Sequence, residues 1–395
     1  MKASWNIQAL FWAATTALAP RQADSRLYQP CTGDYCYDTN PLPPRFFPSL
    51  ESKRLQVKYG PFTIPPADEN NGHFKTYFRT NPPCYDCYLT AVSADLQYPN
   101  GTTANTNTNL SLHHLAVMNL VQSSTTCLDG AEIIFASGNE RTEAKVSLDG
   151  QVPAGYYFNP HDLLVFFPEL VNTAHVPQEA VIVLDYEFVP LSDLTAGAGF
   201  RKVTPIWLDV DGTCSPNGGS VPIPRGAGER FTLGMEPAWR SDVSGDVLFV
   251  MGHVHDGGTS VEIIRDERTV CEGVVKYAEE EGYIPTLGVH ALEKRQGWRG
   301  KGKGKNRGKG KGKGKGKGKG GGDDDEGDGE QPINADRGAH ISSINTCTLP
   351  GRIEKGDEWT VRANYDFTKH APMLHGGVLA PVMGIGLMYV VEDGQ

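Results

Sequence analysis

The sequence predicts an all-β protein built as two tandem β-sandwiches with a disordered insertion in the second. Three observations carry this. Ten short runs rich in β-branched and aromatic residues are bounded by Gly, Pro, Asn or Asp, no amphipathic helix of three turns is found, and 395 residues exceed what one ordinary sandwich needs. In chain order the runs are Tyr88–Leu96, His114–Val121, Glu132–Ala136, Leu163–Phe167, Ala180–Val189, Lys202–Val210, Val247–Val254, Ser260–Arg265, Trp359–Tyr365 and Val382–Val391. The Gly- and Ser-containing stretch Pro190–Gly199 is the predicted boundary, giving an N-terminal sandwich over 24–195 and a C-terminal one over 200–395.

Residues 297–330 are of low complexity. A Gly-Lys repeat from Lys301 to Lys319 is followed by glycines and then by Asp323-Asp324-Asp325-Glu326. Such a tract cannot bury enough apolar surface to offset its ordering entropy, so a disordered excursion between two strands is expected. It suits contact with an anionic polymer, although a solvated insertion explains the composition equally simply.

Composition excludes several classes. The formal charge of -10 hides an acidic bulk, because residues 299–330 carry 11 Lys+Arg against 6 Asp+Glu and so contribute +5. Specific nucleic-acid binding by the folded part is therefore not expected, since neutralising phosphates takes a basic face. Beyond the first twenty residues no apolar run reaches the ~18 residues of a membrane helix, so no transmembrane span is expected.

The amino terminus places Lys2 before the charge-free stretch Ala3–Ala19, which reads as a secretory signal within residues 1–23 and implies a secreted, extracellular protein. Ala17, Ala19 and Ala23 are alternative cleavage points. Eight cysteines, an even set, fit an oxidising compartment. Cys84-Tyr85-Asp86-Cys87 has redox or zinc spacing, but it follows Pro82-Pro83 and no second such motif exists, which favours a structural disulfide. Two sequons, at Asn100 and Asn109, lie in a polar stretch suited to an exposed, glycosylated loop.

Metal-type side chains gather in three places. His253-Val254-His255 ends a strong strand, where residues i and i+2 share a face and can present two imidazoles to one ion, with Asp256 next door as a second acceptor. His113-His114 are adjacent, so they point to opposite faces and can share an ion only where the strand begins or twists. The late apolar run from Met373 through Met383 to Val391 offers a soft thioether, for which Met383 is the candidate, and a His-His-Met set points to copper.

These residues carry a resemblance. Tyr59-Gly60-Pro61-Phe62 with Ile64-Pro65-Pro66, Leu112-His113-His114, Gly252-His253-Val254-His255-Asp256-Gly257-Gly258, Cys271 and Cys347, and Val382-Met383-Gly384 with Leu387-Met388-Tyr389 together resemble the plant stress up-regulated nodulin family, from about Gln56 onward. That family is in turn similar to the copper type II, ascorbate-dependent monooxygenases, the group of peptidylglycine α-hydroxylating monooxygenase. The resemblance implies two jelly-roll-like sandwiches, one or two copper ions, ascorbate as reductant, and hydroxylation of a C–H bond in an unidentified small-molecule or peptide substrate. His113 and His114 match the electron-supplying copper site, while His253, His255 and Met383 match the catalytic one. Glu187 stands where a third histidine of the first site would fall, with His161 and His175 as substitutes and His375 as a spare ligand. A non-catalytic extracellular metal-binding protein, associated with stress or the cell wall, is the alternative. The disulfides expected are Cys271–Cys347, with Cys84–Cys87 or Cys31–Cys36 as local bridges.

Overall fold

The computed structural model describes residues 35–194, 199–212, 214, 219–279, 339–375 and 378–394. The expected signal over 1–23, the insertion over 297–330 and Cys31 lie outside the described residues. Ten strands precede the Pro190–Gly199 stretch: β1 (Cys36–Leu42), β2 (Lys53–Ile64), β3 (His73–Lys75), β4 (Phe78–Thr80), β5 (Cys87–Gln97), β6 (Leu110–Ser123), β7 (Ala131–Ser137), β8 (Ala154–Phe158), β9 (Leu164–Asn172) and β10 (Gln178–Pro190). Twelve follow it: β11 (Arg201–Asp209), β12 (Arg230–Gly234), β13 (Trp239–Arg240), β14 (Gly245–His253), β15 (Gly258–Arg265), β16 (Arg268–Tyr277), β17 (Ile341–Ile344), β18 (Cys347–Ile353), β19 (Glu358–Asp366), β20 (Leu374–His375), β21 (Val378–Leu379) and β22 (Ile385–Glu392). The fold is all-β and sandwich-like, and each of the ten predicted runs holds a strand. No helix among the described residues is long and apolar enough to cross a membrane.

Strand β2 escapes the sequence reading because its alternation breaks in the middle. Leu55, Val57 and Tyr59 are buried, and then Phe62 and Ile64 continue out of phase. The change of phase falls at Gly60-Pro61, where pairing with β10 slips between Ala180 and Ile182. A Cβ on Gly60 would lie 2.9 Å from the Ala180 carbonyl oxygen, and its φ of +129° suits only glycine.

One sheet runs through both halves of the chain in the order β1-β2-β10-β5-β8-β11-β22-β14-β18. Its two parts meet in a short parallel pairing of Arg201–Lys202 with Ala154–Gly155. In the first half it faces β3-β9-β6-β7, with β4 beside β9; in the second it faces β12-β19-β15-β16-β17, with β13 beside β19.

The strands β14 and β22 explain why the halves stay together. Along β22, Leu387, Tyr389 and Val391 join the apolar core of the first half, while Met388 and Val390 pack into the core of the second. Along β14, Phe249 and Met251 face the first core, and Val247 and Val250 face the second. Strands buried on both faces read as continuous apolar runs, which is what Val247–Met251 and Leu387–Val391 are. The Tyr389 hydroxyl donates to the Ile134 carbonyl 2.9 Å away, across the interface.

Three disulfides among the described residues have both partners placed. Cys84–Cys87 and Cys271–Cys347 are the expected pairs, and Cys127–Cys214, with a separation of 87 residues, is a pair that spacing alone left unassigned. The last joins the β6–β7 loop to the chain just after β11. There the Thr126 hydroxyl also donates to the Trp207 carbonyl at 2.9 Å, so covalent and hydrogen bonds fix the halves at one point. A cross-link over a loop this long contributes on the order of 4 kcal/mol by restricting the unfolded chain. Cys36 is also disulfide-bonded.

Candidate metal centre

The tandem histidines lie on β6, where the register against β9 slips. Leu112 pairs with Leu170 and His114 with Glu169, leaving His113 as the extra residue of a bulge. A bulge cancels the alternation of side chains for one residue, so His113 and His114 turn to the same side. Their Nδ1 atoms lie 3.0 Å apart and their ring centroids 3.9 Å apart. The His113 Nε2 meets the sulfur of Met373 at 3.1 Å.

The second pair enters from the end of β14. His255 Nε2 lies 2.7 Å from His114 Nε2, and the two rings stack at 4.9 Å with 21° between their planes. Donor atoms of His113, His114 and His255 all fall within 4.8 Å of one another, so a residue of the second half completes a group begun by the first. His253 turns elsewhere: its Nδ1 meets Glu140 Oε1 at 3.1 Å, and its Nε2 is buried without a hydrogen-bond partner. The backbone N–H of Gly138 donates to the same Glu140 oxygen at 3.0 Å. A Cβ on Gly138 would sit 2.7 Å from Glu140 Oε2 and 2.8 Å from His253 Cε1, so only glycine lets the chain pass here.

An outer hydrogen bond sets the tautomer of His255. The Pro381 carbonyl can only accept, so at 2.7 Å it takes the proton of His255 Nδ1 and leaves His255 Nε2 as a lone pair. Glu169 is buried beside His114 Nδ1 at 3.2 Å and His73 Nδ1 at 2.8 Å, and Lys75 Nζ lies 2.8 Å from it. Burial alone would raise this carboxyl, but the hydrogen bonds from His113, His114 and His73 outweigh it and hold Glu169 well below the usual carboxylate range. Glu169 Oε2 faces the Nδ1 atoms of both tandem histidines, His114 at 3.2 Å and His113 at 3.5 Å, and so orients the pair from behind.

His114 Nε2 and His255 Nε2 face each other at 2.7 Å, with His255 Nε2 the acceptor. Burial pushes the imidazoles of His113, His114 and His255 below the ordinary value, the last two far below it, so an extra proton is a poor bridge. Neutral imidazoles so placed can hold a metal ion, and the outer carboxylate and carbonyl are the partners that metal-bound histidines commonly have. With a thioether at the edge, the donor set is soft enough for copper. Beside it lies a cavity of about 20 Å³, room for one water-sized molecule, lined by His113, Glu140, His253, His255, Asp256 and Met373 among others.

The structure places the remaining candidates away from this group. Met383 is buried, and a Cβ on Gly219 would lie 2.9 Å from its methyl carbon and 2.5 Å from Asp209 Oδ2, so its thioether packs beside Asp209. Only its backbone relates to the centre: the Tyr365 hydroxyl accepts from the N–H of His255 at 3.1 Å and donates to the carbonyl of Met383 at 2.7 Å. Glu187 is fully buried and accepts from the backbone N–H groups of Arg45 and Phe46 and from the Arg45 side chain. His161 and His175 are exposed. The side chain of His375 lies outside the described residues. Asp256 binds His340 Nδ1 at 2.7 Å and the N–H of Ile341 at 3.1 Å, turned away from the imidazole it follows.

Sequence reasoning missed Met373, Glu169, Glu140 and His73. Glu169 had a signal, an acid inside the apolar run Leu164–Leu170. Met373 opened the same late run that drew attention to Met383. Glu140 and His73 had none.

A buried group of imidazoles with a thioether at its edge is a donor set suited to a soft metal. No protein-family model matches the chain. It is 28% identical over 367 residues, 92% of its own length and 78% of the relative's, to a protein of a Phoma species named probable copper-dependent oxygenase M1. It is also 28% identical over 306 residues, 76% of its length and 78% of the relative's, to a Cochliobolus lunatus protein named probable copper-dependent oxygenase clz3. Among solved structures, PNGF-II is similar with a TM-score of 0.40 and 10% identity over 86% of this chain and 65% of that one. PNGase F of Flavobacterium meningosepticum, a glycosylasparaginase, gives 0.33 and 9% over 85% and 96%. Likenesses this slight assign neither fold nor activity.

Proposed function

We propose that this protein is a secreted copper-dependent oxygenase that holds a single copper ion with His113, His114 and His255, with Met373 at the edge of the site. The observation that carries the reading is the convergence of three imidazoles from the two halves of the chain, with donor atoms within 4.8 Å of one another and two Nε2 atoms at 2.7 Å. The names of the two fungal relatives support copper and oxygenation. A bound copper would supply the one-electron chemistry that reaction with dioxygen requires.

The chain's own residues have distinct tasks in this reading. Glu169 and Pro381 orient two imidazoles, and Pro381 keeps His255 Nε2 free of a proton. Glu140 holds His253 with its unpartnered Nε2 beside the small cavity, where it can accept a hydrogen bond from a small molecule. Val254 and Ile341 give that cavity its apolar wall. The resemblance to the ascorbate-dependent monooxygenases supports hydroxylation of a C–H bond with ascorbate as reductant, and the likeness to the plant nodulin family stays part of the proposal. Disulfides and the exposed Asn100 and Asn109 support secretion and glycosylation.

The test is oxygen uptake by copper-loaded protein in the presence of ascorbate. Uptake above that of free copper, lost in His255→Ala, is expected; uptake unchanged by that substitution contradicts the reading. A second reading, copper holding without catalysis, is favoured by the smallness of the cavity, and it predicts full copper loading with no uptake.

A further inference from the structure

His255 is restrained at two places, and both restraints lead to one side chain. Its imidazole Nδ1 donates to the Pro381 carbonyl at 2.7 Å, and its backbone N–H donates to the Tyr365 hydroxyl at 3.1 Å. The same hydroxyl accepts from the N–H of Met383 at 3.2 Å and donates to the Met383 carbonyl at 2.7 Å. A phenol has one proton to donate and two lone pairs, so all three are engaged. The ring itself, at the end of β19 and 3% exposed, is held by Phe231, which stacks on it at 5.1 Å with 6° between the planes.

The consequence is geometric. His255 and Pro381 are 126 residues apart in sequence, one following β14 and the other preceding β22. The Tyr365 hydroxyl ties the backbone of His255 to the backbone of Met383, two residues past the carbonyl that His255 Nδ1 must reach. It therefore sets the gap which the Nδ1–carbonyl bond spans, and with it the rotation that brings Nε2 to 2.7 Å from His114 Nε2. A second anchor keeps the segment in place: Val382 exchanges two backbone hydrogen bonds of 2.8 Å with Val221. Removing the hydroxyl should thus disturb the aim of His255 and leave the strand where it is.

We propose, resting on the reading of His255 as a copper ligand, that Tyr365 is a positioning residue whose hydroxyl orients the His255 imidazole and so tunes copper binding. It acts through the backbone on either side of the Nδ1–carbonyl bond. Met383 then serves the centre by its peptide groups, with its thioether packed elsewhere.

Tyr365→Phe tests this, because it keeps the ring and its stacking and removes only the hydroxyl. Tyr389→Phe is the control: that tyrosine is also buried, and its hydroxyl donates to the Ile134 carbonyl and to no part of the histidine group. Two readouts on the full chain are compared. In metal-free protein carrying isotope-labelled histidine, nuclear magnetic resonance follows solvent exchange of the His255 Nδ1 proton, assigned by its loss in His255→Ala. Exchange should be about tenfold faster in Tyr365→Phe and unchanged in Tyr389→Phe. Phe231→Leu, which loosens the ring and spares the hydroxyl, should give a smaller rise and reads the same proton should Tyr365→Phe fail to fold. Copper competition with a chelator should then show binding roughly 10- to 100-fold weaker in Tyr365→Phe, with an altered nitrogen hyperfine pattern in the Cu(II) spin signal, and wild-type values in Tyr389→Phe. Both Tyr→Phe variants should melt earlier, so stability alone does not separate them. Wild-type exchange in Tyr365→Phe, or equal acceleration in Tyr389→Phe, overturns the positioning role, and so does faster exchange with wild-type copper affinity and spin signal. Faster exchange in a chain that takes up no copper would sink the copper reading and leave Tyr365 as the residue that orients His255.

Discussion

The two histidine pairs of this protein reverse what strand geometry alone suggests. His253 and His255, two apart on one strand, should form a clip, and His113 and His114, adjacent, should diverge. In the structure the adjacent pair converges, because a bulge against β9 makes His113 an extra residue. The alternating pair separates in role: His255 joins the group of three, while His253 turns to Glu140. The difference teaches that the partner strand and the outer hydrogen bonds aim a ligand, and that residue spacing fixes only which face is available.

The largest effect should break the comparison between the pairs. His114→Ala and His255→Ala each remove an Nε2 from the facing pair, and each should lower copper affinity by more than the ~100-fold that loss of an outer partner costs. His253→Ala should leave copper bound. Equilibrium dialysis of the three variants against a chelator measures this, and copper loss in His253→Ala equal to that in His255→Ala would restore the clip.

Next comes the carboxylate that holds the converging pair. Glu169→Gln keeps shape but removes the charge behind the tandem histidines, and copper should bind roughly 10- to 100-fold more weakly. Lys75 and His73 lose their partner in the same variant, so thermal stability should fall as well.

The two methionines sharpen the comparison further. Met373→Leu should weaken Cu(I) binding more than Cu(II) binding, because a thioether prefers the softer ion. Met383→Leu conserves volume in a packed site and should cost less than about 1.5 kcal/mol with copper unaffected. Competition titrations with a cuprous chelator separate the two variants.

The smallest effect is that of pH on the metal-free protein. His114 and His255 have folded pKa values below the unfolded one, so the unfolded chain binds more protons once pH falls beneath about 6.5. Stability should therefore decline as pH falls from 7 to 5. Thermal melts should show a smaller decline in the double variant His114→Ala/His255→Ala.

The fold was legible because the β signal is local. Short β-branched runs ending in Gly, Pro or Asn identify strands such as β10 and β19 without knowledge of their partners. The site was half legible: His113, His114, His253 and His255 are rare side chains at strand ends and draw attention by themselves. What tertiary pairing decides was hidden. The bulge at His113 depends on β9, the approach of Met373 rather than Met383 to His113 depends on how the chain enters β20, and Glu140 and His73 reach the histidine group from loops or short strands without pattern. The sharing of one centre between the halves was hidden too, since it follows from β14 and β22 being buried on both faces. Those strands are apolar throughout, and the sequence reading treated that only as strand propensity.

The most direct measurement is copper stoichiometry with Cu(II) spin resonance on dialysed protein, compared among wild type, His114→Ala and His255→Ala. One ion per chain, with nitrogen hyperfine splitting, that disappears in both variants is the predicted result. Two ions, of which a different one survives in each variant, would contradict a centre shared between the halves.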